Sequence, residues 1–418
     1  MTEAASRPPG TAAALAALCE PATIRLRARA IAQAVDAGAS PHFRLDRDRL
    51  DAAALRVAAL TRRRFPALEI PYHSRWRHFA AGGVDRIAAL DARLAALPAE
   101  EALRARVDLV VVSVLLDAGA GPAWRYREDG REFARSEGLA VASLHAFAGG
   151  RFSSDAARPL RVDAAALAAL DADALASVFQ AGAANPLVGL DGRAALLRRL
   201  GALLQQRAGA GARPSLLVDR VAAESESAGA VDAGALLGRV LAEFAPIWTG
   251  GSEYGGVLLG DCWRHPHAGD ATARGPDAAS AGWVPFHKLS QWLTYSLLEP
   301  FEQAGFAVAG LESLTGLPEY RNGGLLVDAG VVVPRDAAAC GRRWRPGDEF
   351  VVEWRALTVA LLDELALRVR AQLGASTAEL PLARILEGGT WAAGRELAAE
   401  RRPGGEPPFA LDSDGTIF

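Results

Sequence analysis

The sequence predicts a mainly helical protein, a single multi-helical domain with few short strands. Three observations predict it. Apolar residues recur at helical spacing along most of the chain. Alanine-rich tracts add high helix propensity. Strand-like runs are scarce, the clearest being 324–333, and no Gly-x-Gly-x-x-Gly, P-loop or Gly-x-Ser-x-Gly elbow is present, which argues against a parallel-sheet enzyme.

At 418 residues, half of them hydrophobic, the chain is long enough to bury a substantial core. A net charge of −3 leaves no broad electrostatic footprint for nucleic acid. Three scattered cysteines (Cys19, Cys262, Cys340) are too few for a disulfide framework and point to a reducing compartment. The first residues lack the basic start of a signal peptide. The longest strongly apolar run, 109–116, is too short to span a bilayer. The expectation is a cytoplasmic protein that engages a small molecule, with neither nucleic acid nor membrane as partner.

Residues 1–10 read as a flexible lead and 11–418 as the domain. Helical patterns cover 11–19 and 22–37, split by Pro21, and 48–61 after the turn Ser40-Pro41-His42. The stretch Ile70-Pro71-Tyr72-His73-Ser74-Arg75-Trp76-Arg77-His78-Phe79 is dense in arginine, histidine and aromatic rings. Arginine forks bind phosphate and rings stack, so it reads either as a ligand platform or as a packing knot. Helices follow at 84–97 and 99–116, the second running into Asp117 and a glycine-rich turn with Trp124 and Tyr126. An aspartate at a helix C-terminus opposes the macrodipole, and a residue placed against local preference hints at function. Further helices are expected at 138–147, 163–180, 191–207 and 348–373, and the tail 412–418, ending on Phe418, suggests a docked terminus.

Two stretches carry most of the chemistry. In the first, Asp261-Cys262-Trp263-Arg264-His265-Pro266-His267 invites a zinc reading, but no second ligand pair accompanies it. A binding loop with Asp261 and Trp263 lining a pocket is the better reading. The second, 283–328, holds Lys288, the only lysine among 46 basic residues, and Asn322, one of two asparagines. Lysine offers a compact point charge whose pKa burial can tune. Leu289, Trp292, Leu293 and Leu297 recur at helical spacing, placing Lys288 in a first turn where backbone amides favour an anion. Pro300 should stop or kink that helix. Pro318-Glu319 reads as the next helix start, and the dipole there favours ionised Glu319, as a cap or as a functional carboxylate. Gly323 and Gly324 imply close approach of a ligand or another helix.

The motifs Pro71-Tyr-His-Ser-Arg-Trp-Arg-His-Phe79, Leu115-Leu-Asp117-Ala-Gly-Ala-Gly121, Gly260-Asp-Cys-Trp263 and Pro285-Phe-His-Lys-Leu-Ser-Gln-Trp292 together resemble the family of the fourth protein of the uracil-catabolism pathway. The resemblance extends nearly through the whole chain. A remoter one, lysine–x2–glutamine on a helix, then Leu-Thr, then acidic-Tyr-Arg, is similar to queuosine 5′-phosphate N-glycosylases, which are mainly helical and related in fold to DNA glycosylases. It implies an active-site lysine at Lys288, the acidic residue at Glu319 in place of their aspartate, and their earlier aspartate at Asp117.

These resemblances imply a hydrolase that cleaves the C–N bond of a ribosylurea-type or nucleotide 5′-phosphate substrate, without a cofactor or metal. Glu319 and Asp117 are its expected catalytic carboxylates. Lys288, Arg75 and Arg321 are expected at the phosphate. His73, Tyr320 and Asp261 complete the binding set, with Trp263 and Trp292 walling the pocket. The alternative is a non-catalytic metabolite-binding protein that supports a pathway enzyme. A metal hydrolase using Cys262, His265 and His267 is the third reading.

Overall fold

A computed structural model describes residues 11–248, 250–269 and 276–412. The expected lead 1–10 and the segment 413–418, with its expected docked terminus, lie outside the described residues. The fold is mainly helical, and its β structure consists of short strands in pairs. Among the described residues no helix is long and apolar enough to cross a membrane. The chain forms two compact units, the first from described residues of Met1–His73, Thr249–Lys288 and Leu311–Asp412, the second from Ser74–Trp248 and Leu289–Gly310.

The spine of the first unit is helix Glu349–Leu373, buried almost all round from Phe350 to Leu362, as a helix packed on several sides must be. Helices Pro21–Asp36 and Leu50–Arg64 pack on it. Pro21 begins the former, where its missing N–H costs no helix bond. Helix Tyr320–Asp328 packs on both the spine and helix Trp391–Arg401. Glycines permit that approach: a Cβ at Gly323 would lie 2.7 Å from the Trp354 ring, and one at Gly394 2.1 Å from the Arg321 carbonyl oxygen. Gly323 therefore answers to helix packing, while a Cβ at Gly324 would meet the Pro408 ring at 3.3 Å. That same packing corrects two expectations. Pro318 stands outside the helix, which Glu319 caps, and the run 324–333 is helical as far as Asp328. Only Val332–Pro334 is extended, paired antiparallel with Phe43–Leu45.

The core of the second unit is helix Ala99–Leu115, buried continuously from Val107 to Leu115, with helix Arg135–Ala148 against it. Its internal Asp108 is fully buried and accepts the Val162 and Ser215 amides at 3.0 and 2.9 Å and Arg213 Nε at 2.8 Å. The expected helix 163–180 is two, Ala164–Ala168 and Ala172–Val178, because Asp171 caps the second by accepting Ala174 N–H at 2.7 Å. Helices Leu216–Ala228 and Ala233–Phe244 lie where no element was expected. Helix Lys288–Gln303 continues past Pro300, where a stop or kink was expected. Pro300 cannot bond the Ser296 carbonyl, which instead accepts Trp76 Nε1–H at 2.8 Å, so the carbonyl is not left orphaned.

Gly394→Ala should lower the unfolding free energy by about 1–3 kcal/mol through overpacking. Gly330→Asn, in open space at φ 78°, should change it far less, since asparagine tolerates that backbone region. Urea denaturation of the two variants checks the contrast.

Candidate functional site

Glu319 is extended (φ −116°, ψ 168°) and is the N-cap of helix Tyr320–Asp328. Oε2 accepts Arg321 N–H and Oε1 accepts Asn322 N–H, both at 2.6 Å, so each oxygen is held by a backbone amide. The residue is 9% exposed. Burial pushes its carboxyl above the usual range, while the two amides and the nearby charges of Lys288 and His73 oppose that rise. Asn322, fully buried, donates Nδ2–H to the Leu317 carbonyl at 3.2 Å, and its Oδ1 has no hydrogen-bond partner among the described residues. Its only signal in the sequence is the rarity of asparagine.

Lys288 is placed by Asp261. Strands Cys262–Arg264 and Trp283–Pro285 pair antiparallel, which brings Asp261 beside 286–288. The Asp261 carbonyl accepts the Phe286 and His287 amides at 2.9 and 3.2 Å, and Oδ2 accepts the Lys288 amide at 3.0 Å. His287 sits at φ 46°, a strained conformation for a residue with a side chain. Its buried imidazole donates Nε2–H to the Leu18 carbonyl at 2.9 Å, and burial lowers its pKa, favouring the neutral ring. The Lys288 amide, expected to favour a bound anion, is thus occupied by the protein's own carboxylate. The half-buried Lys288 side chain acts electrostatically on Glu319.

Arg355, on the spine helix, completes this arrangement and was not singled out from the sequence. Its Nη1 and Nη2 donate to Asp261 Oδ1 and Oδ2 at 2.6 and 2.7 Å, and its Nε donates to the Pro318 carbonyl at 3.2 Å. One guanidinium therefore ties the start of the Lys288 helix to the residue before Glu319. Burial pushes the Asp261 carboxyl upward, but the Arg355 charge and the hydrogen bonds from Arg355, Lys288 and Trp263 outweigh it, and the pKa is lowered. Trp263 donates Nε1–H to Asp261 Oδ1 at 2.8 Å, and its ring lies against Gly347.

His73, 4% exposed, belongs to the same unit. Its Nδ1 is 2.9 Å from Glu387 Oε2, another residue the sequence did not single out. Tyr320 is half-buried, with the Arg321 guanidinium 4.8 Å from its ring centroid. Arg321 is itself buried and donates Nη1–H to the Gly405 carbonyl at 2.9 Å.

Arg75, Asp117 and Trp292 belong to the second unit. Arg75 is fully buried; its Nε donates to Ser113 Oγ at 2.7 Å and its Nη1 to the Ser136 carbonyl at 3.1 Å. Nη1 is also 3.0 Å from Asp117 Oδ1. This guanidinium brings positive charge to Asp117, just past the end of helix Ala99–Leu115. Trp292 is buried, with its ring 5.6 Å from that of His78. Glu319, Lys288, His73, Tyr320, Arg321, Asp261 and Trp263 thus share one unit, and Arg75 and Asp117 form an ion pair in the other.

Cys262 packs in an apolar cluster with Leu18 and Trp283, and His265 Nε2 lies 3.2 Å from Glu353 Oε2. Among the described residues no group of three or more His, Cys, Asp or Glu side chains could hold a metal ion.

The sequence model of the family described as "Protein of unknown function (DUF1688)" matches residues 17–418. The chain belongs to this family. Among its relatives, Protein urg3 of Schizosaccharomyces pombe is 39% identical over 402 residues, covering 94% of this chain and 96% of that protein. Uracil catabolism protein 4 of Lachancea kluyveri is 37% identical over 413 residues, covering 91% and 93%. The family expected from the four motifs is the one found, and the match takes in every residue of the Glu319 site.

Arg355→Met leaves a buried aspartate without its cation and should cost about 3–5 kcal/mol of stability by urea denaturation. The two carboxylates should respond oppositely to pH. Asp261, lowered on folding, contributes stability above its ordinary value of 3.8 that is lost as pH falls through its folded value. Glu319, raised on folding, contributes fully below 4.5 and loses that contribution as pH rises through its folded value. Melting temperatures from pH 3 to 7 should therefore show a shallower acid-side loss for Asp261→Asn than for the unaltered protein.

Proposed function

We propose that this chain is a hydrolase of uracil catabolism that cleaves the N-glycosidic bond of a ribosylurea-type or nucleotide 5′-phosphate. The observation that carries this reading is the Glu319 carboxylate, buried, fixed by two backbone amides and acted on electrostatically by Lys288 and His73. The name of the Lachancea kluyveri relative supports the pathway.

Breaking a sugar–nitrogen bond leaves positive charge on the sugar, and a prepositioned carboxylate stabilises that charge and can accept a proton from attacking water. Glu319 takes this role. Its two amide bonds leave further lone pairs for a substrate or water. Lys288, a compact cation beside it, is assigned to the 5′-phosphate. Arg321 donates to the Gly405 carbonyl and Arg75 pairs with Asp117, so neither is assigned there. Tyr320 is the ring assigned to flank the sugar or its leaving group. Asp117 and Arg75, in the second unit, are given no step in this reading.

The cap itself decides how the test must be built. Glu319→Gln would turn an amide N–H toward a backbone N–H and cost stability as well as charge. Glu319→Asn removes the charge but remains a favoured N-cap. It should keep the melting temperature within a few degrees while urea release from ribosylurea 5-phosphate falls at least about 100-fold. Full turnover in Glu319→Asn would leave Glu319 a cap alone. Binding of ribosylurea 5-phosphate by the unaltered protein with no urea released would instead favour the binding-protein reading. Lys288→Ala should weaken phosphorylated ligands by about 1.5–3 kcal/mol and barely affect dephosphorylated ones in calorimetry. Equal losses for both would remove Lys288 from the phosphate.

A further inference from the structure

Glu387 lies in a turn of π-helix, Leu386–Thr390, between helix Leu382–Ile385 and helix Trp391–Arg401. Wide turns of this kind are rare and concentrate at functional sites. Here two glycines make the turn possible. A Cβ on Gly389 would fall 2.6 Å from Thr61 Oγ1 and 2.8 Å from the Val57 carbonyl oxygen, so the turn is pressed against helix Leu50–Arg64. Arg64, at the end of that helix, locks it: Nη1 donates to the carbonyls of Glu387 and Gly388, the latter at 3.0 Å, and Nη2 donates to Glu387 Oε1 at 3.2 Å. The other oxygen, Oε2, is left for His73 Nδ1 at 2.9 Å. His73 is pinned through its backbone as well, its amide donating to the Ala383 carbonyl at 2.9 Å, with the Trp391 ring 6.3 Å from the imidazole. The same π turn packs on helix Tyr320–Asp328, whose cap is Glu319. Arg64 stands behind Glu387, Glu319 interacts electrostatically with both His73 and Lys288, and the Arg395 guanidinium lies over the Trp391 ring.

A carboxylate that orients an imidazole through Nδ1 leaves Nε2 as the nitrogen that exchanges a proton. We propose that His73 is the proton donor to the leaving nitrogen and that Glu387 is its positioning residue, a dyad that complements Glu319. The inference rests on the glycosidic reading above and assigns the second proton transfer within it. The C1′–N bond breaks with its electron pair leaving on nitrogen, and that nitrogen takes the Nε2 proton of His73. Water forms the new C1′–O bond, and its proton passes to Glu319. Transfer of that proton to solvent, and uptake of one by His73, restores both groups, so that ribosylurea phosphate and water become ribose phosphate and urea. Both carboxylates serve one face of the chemistry each: one charge-stabilising and water-activating, the other acting only through the imidazole.

A leaving group that departs without a proton separates the two roles. Single-turnover rates are to be measured with ribosylurea 5-phosphate and with 4-nitrophenyl riboside 5-phosphate, whose nitrophenolate needs no acid. His73→Asn keeps a hydrogen bond to Glu387, because the asparagine Nδ2 stands where Nδ1 does, and so guards against a folding defect. His73→Asn and Glu387→Gln should each lose at least about 100-fold on the urea substrate, in keeping with general acid catalysis. Their loss on the nitrophenyl substrate should be less than tenfold by the same reasoning. The double variant should lose little more than either single one, as groups acting as a unit do. Glu319→Asn should lose on both substrates. Equal losses on the two substrates, or rates near those of the unaltered protein on the urea substrate, overturn the dyad while leaving the hydrolase reading in place. An unaltered protein that cleaves neither substrate overturns both.

Discussion

The ion pair of Asp261 and Arg355 is the interaction on which the first unit's site depends. Neither group is more than 8% exposed, and a charge taken that far from water is tolerated only when its partner and its hydrogen bonds are all in place. Here they are. The Asp261 carboxylate receives both Arg355 nitrogens, the Lys288 amide and the Trp263 indole, and Arg355 spends its remaining Nε on the Pro318 carbonyl. Three segments far apart in sequence thereby acquire one relative position. The strain at His287 is held by the same aspartate through its backbone carbonyl.

On the proposed hydrolase reading that constraint matters, because charge stabilisation depends on groups that need not reorganise during a reaction. Glu319 is held at both oxygens by amides of its own helix, Lys288 by a helix start that Asp261 fixes, and His73 by Glu387 and the Ala383 carbonyl. The first unit also packs an aromatic cluster. The Trp344 and Phe350 rings stack at 4.3 Å, and Phe409 lies 4.9 Å from both Phe350 and Trp354. Trp354 is also the ring that Gly323 admits, so the packing core and the Glu319 helix meet directly.

The chain's near-exclusive use of arginine acquires a structural meaning. Arg27, Arg75, Arg193 and Arg355 are among its largest fully buried side chains. Arg193 shows the pattern: its Nε and Nη2 donate to the carbonyls of Leu116, Ala118 and Gly119, closing the turn after helix Ala99–Leu115. A planar guanidinium offers five N–H donors in a fixed fork, enough for several carbonyls or both oxygens of a carboxylate, where an ammonium offers three. The single lysine is half-buried, and its compact charge acts on the Glu319 carboxylate.

Periodicity alone determined that this chain is helical, and it located the spine helix, the Leu50–Arg64 helix and the helix that begins at Lys288. Composition singled out Lys288 and Asn322, and the acidic-Tyr-Arg motif marked Glu319. Each is a local property of spacing or rarity, so it survives without knowledge of the fold. What required tertiary structure is every pairing across the chain. No motif or spacing in the sequence joined Arg355 to Asp261 or Glu387 to His73. The strand-like run at 324–333 became helix as far as Asp328 because a cap at Glu319 and a tryptophan over Gly323 outweighed local preference. Asp261 looked like a pocket residue until a guanidinium 94 positions away claimed both its oxygens. A sequence lists its charges one by one, but which of them neutralise each other is decided only when folding removes water and brings them into contact.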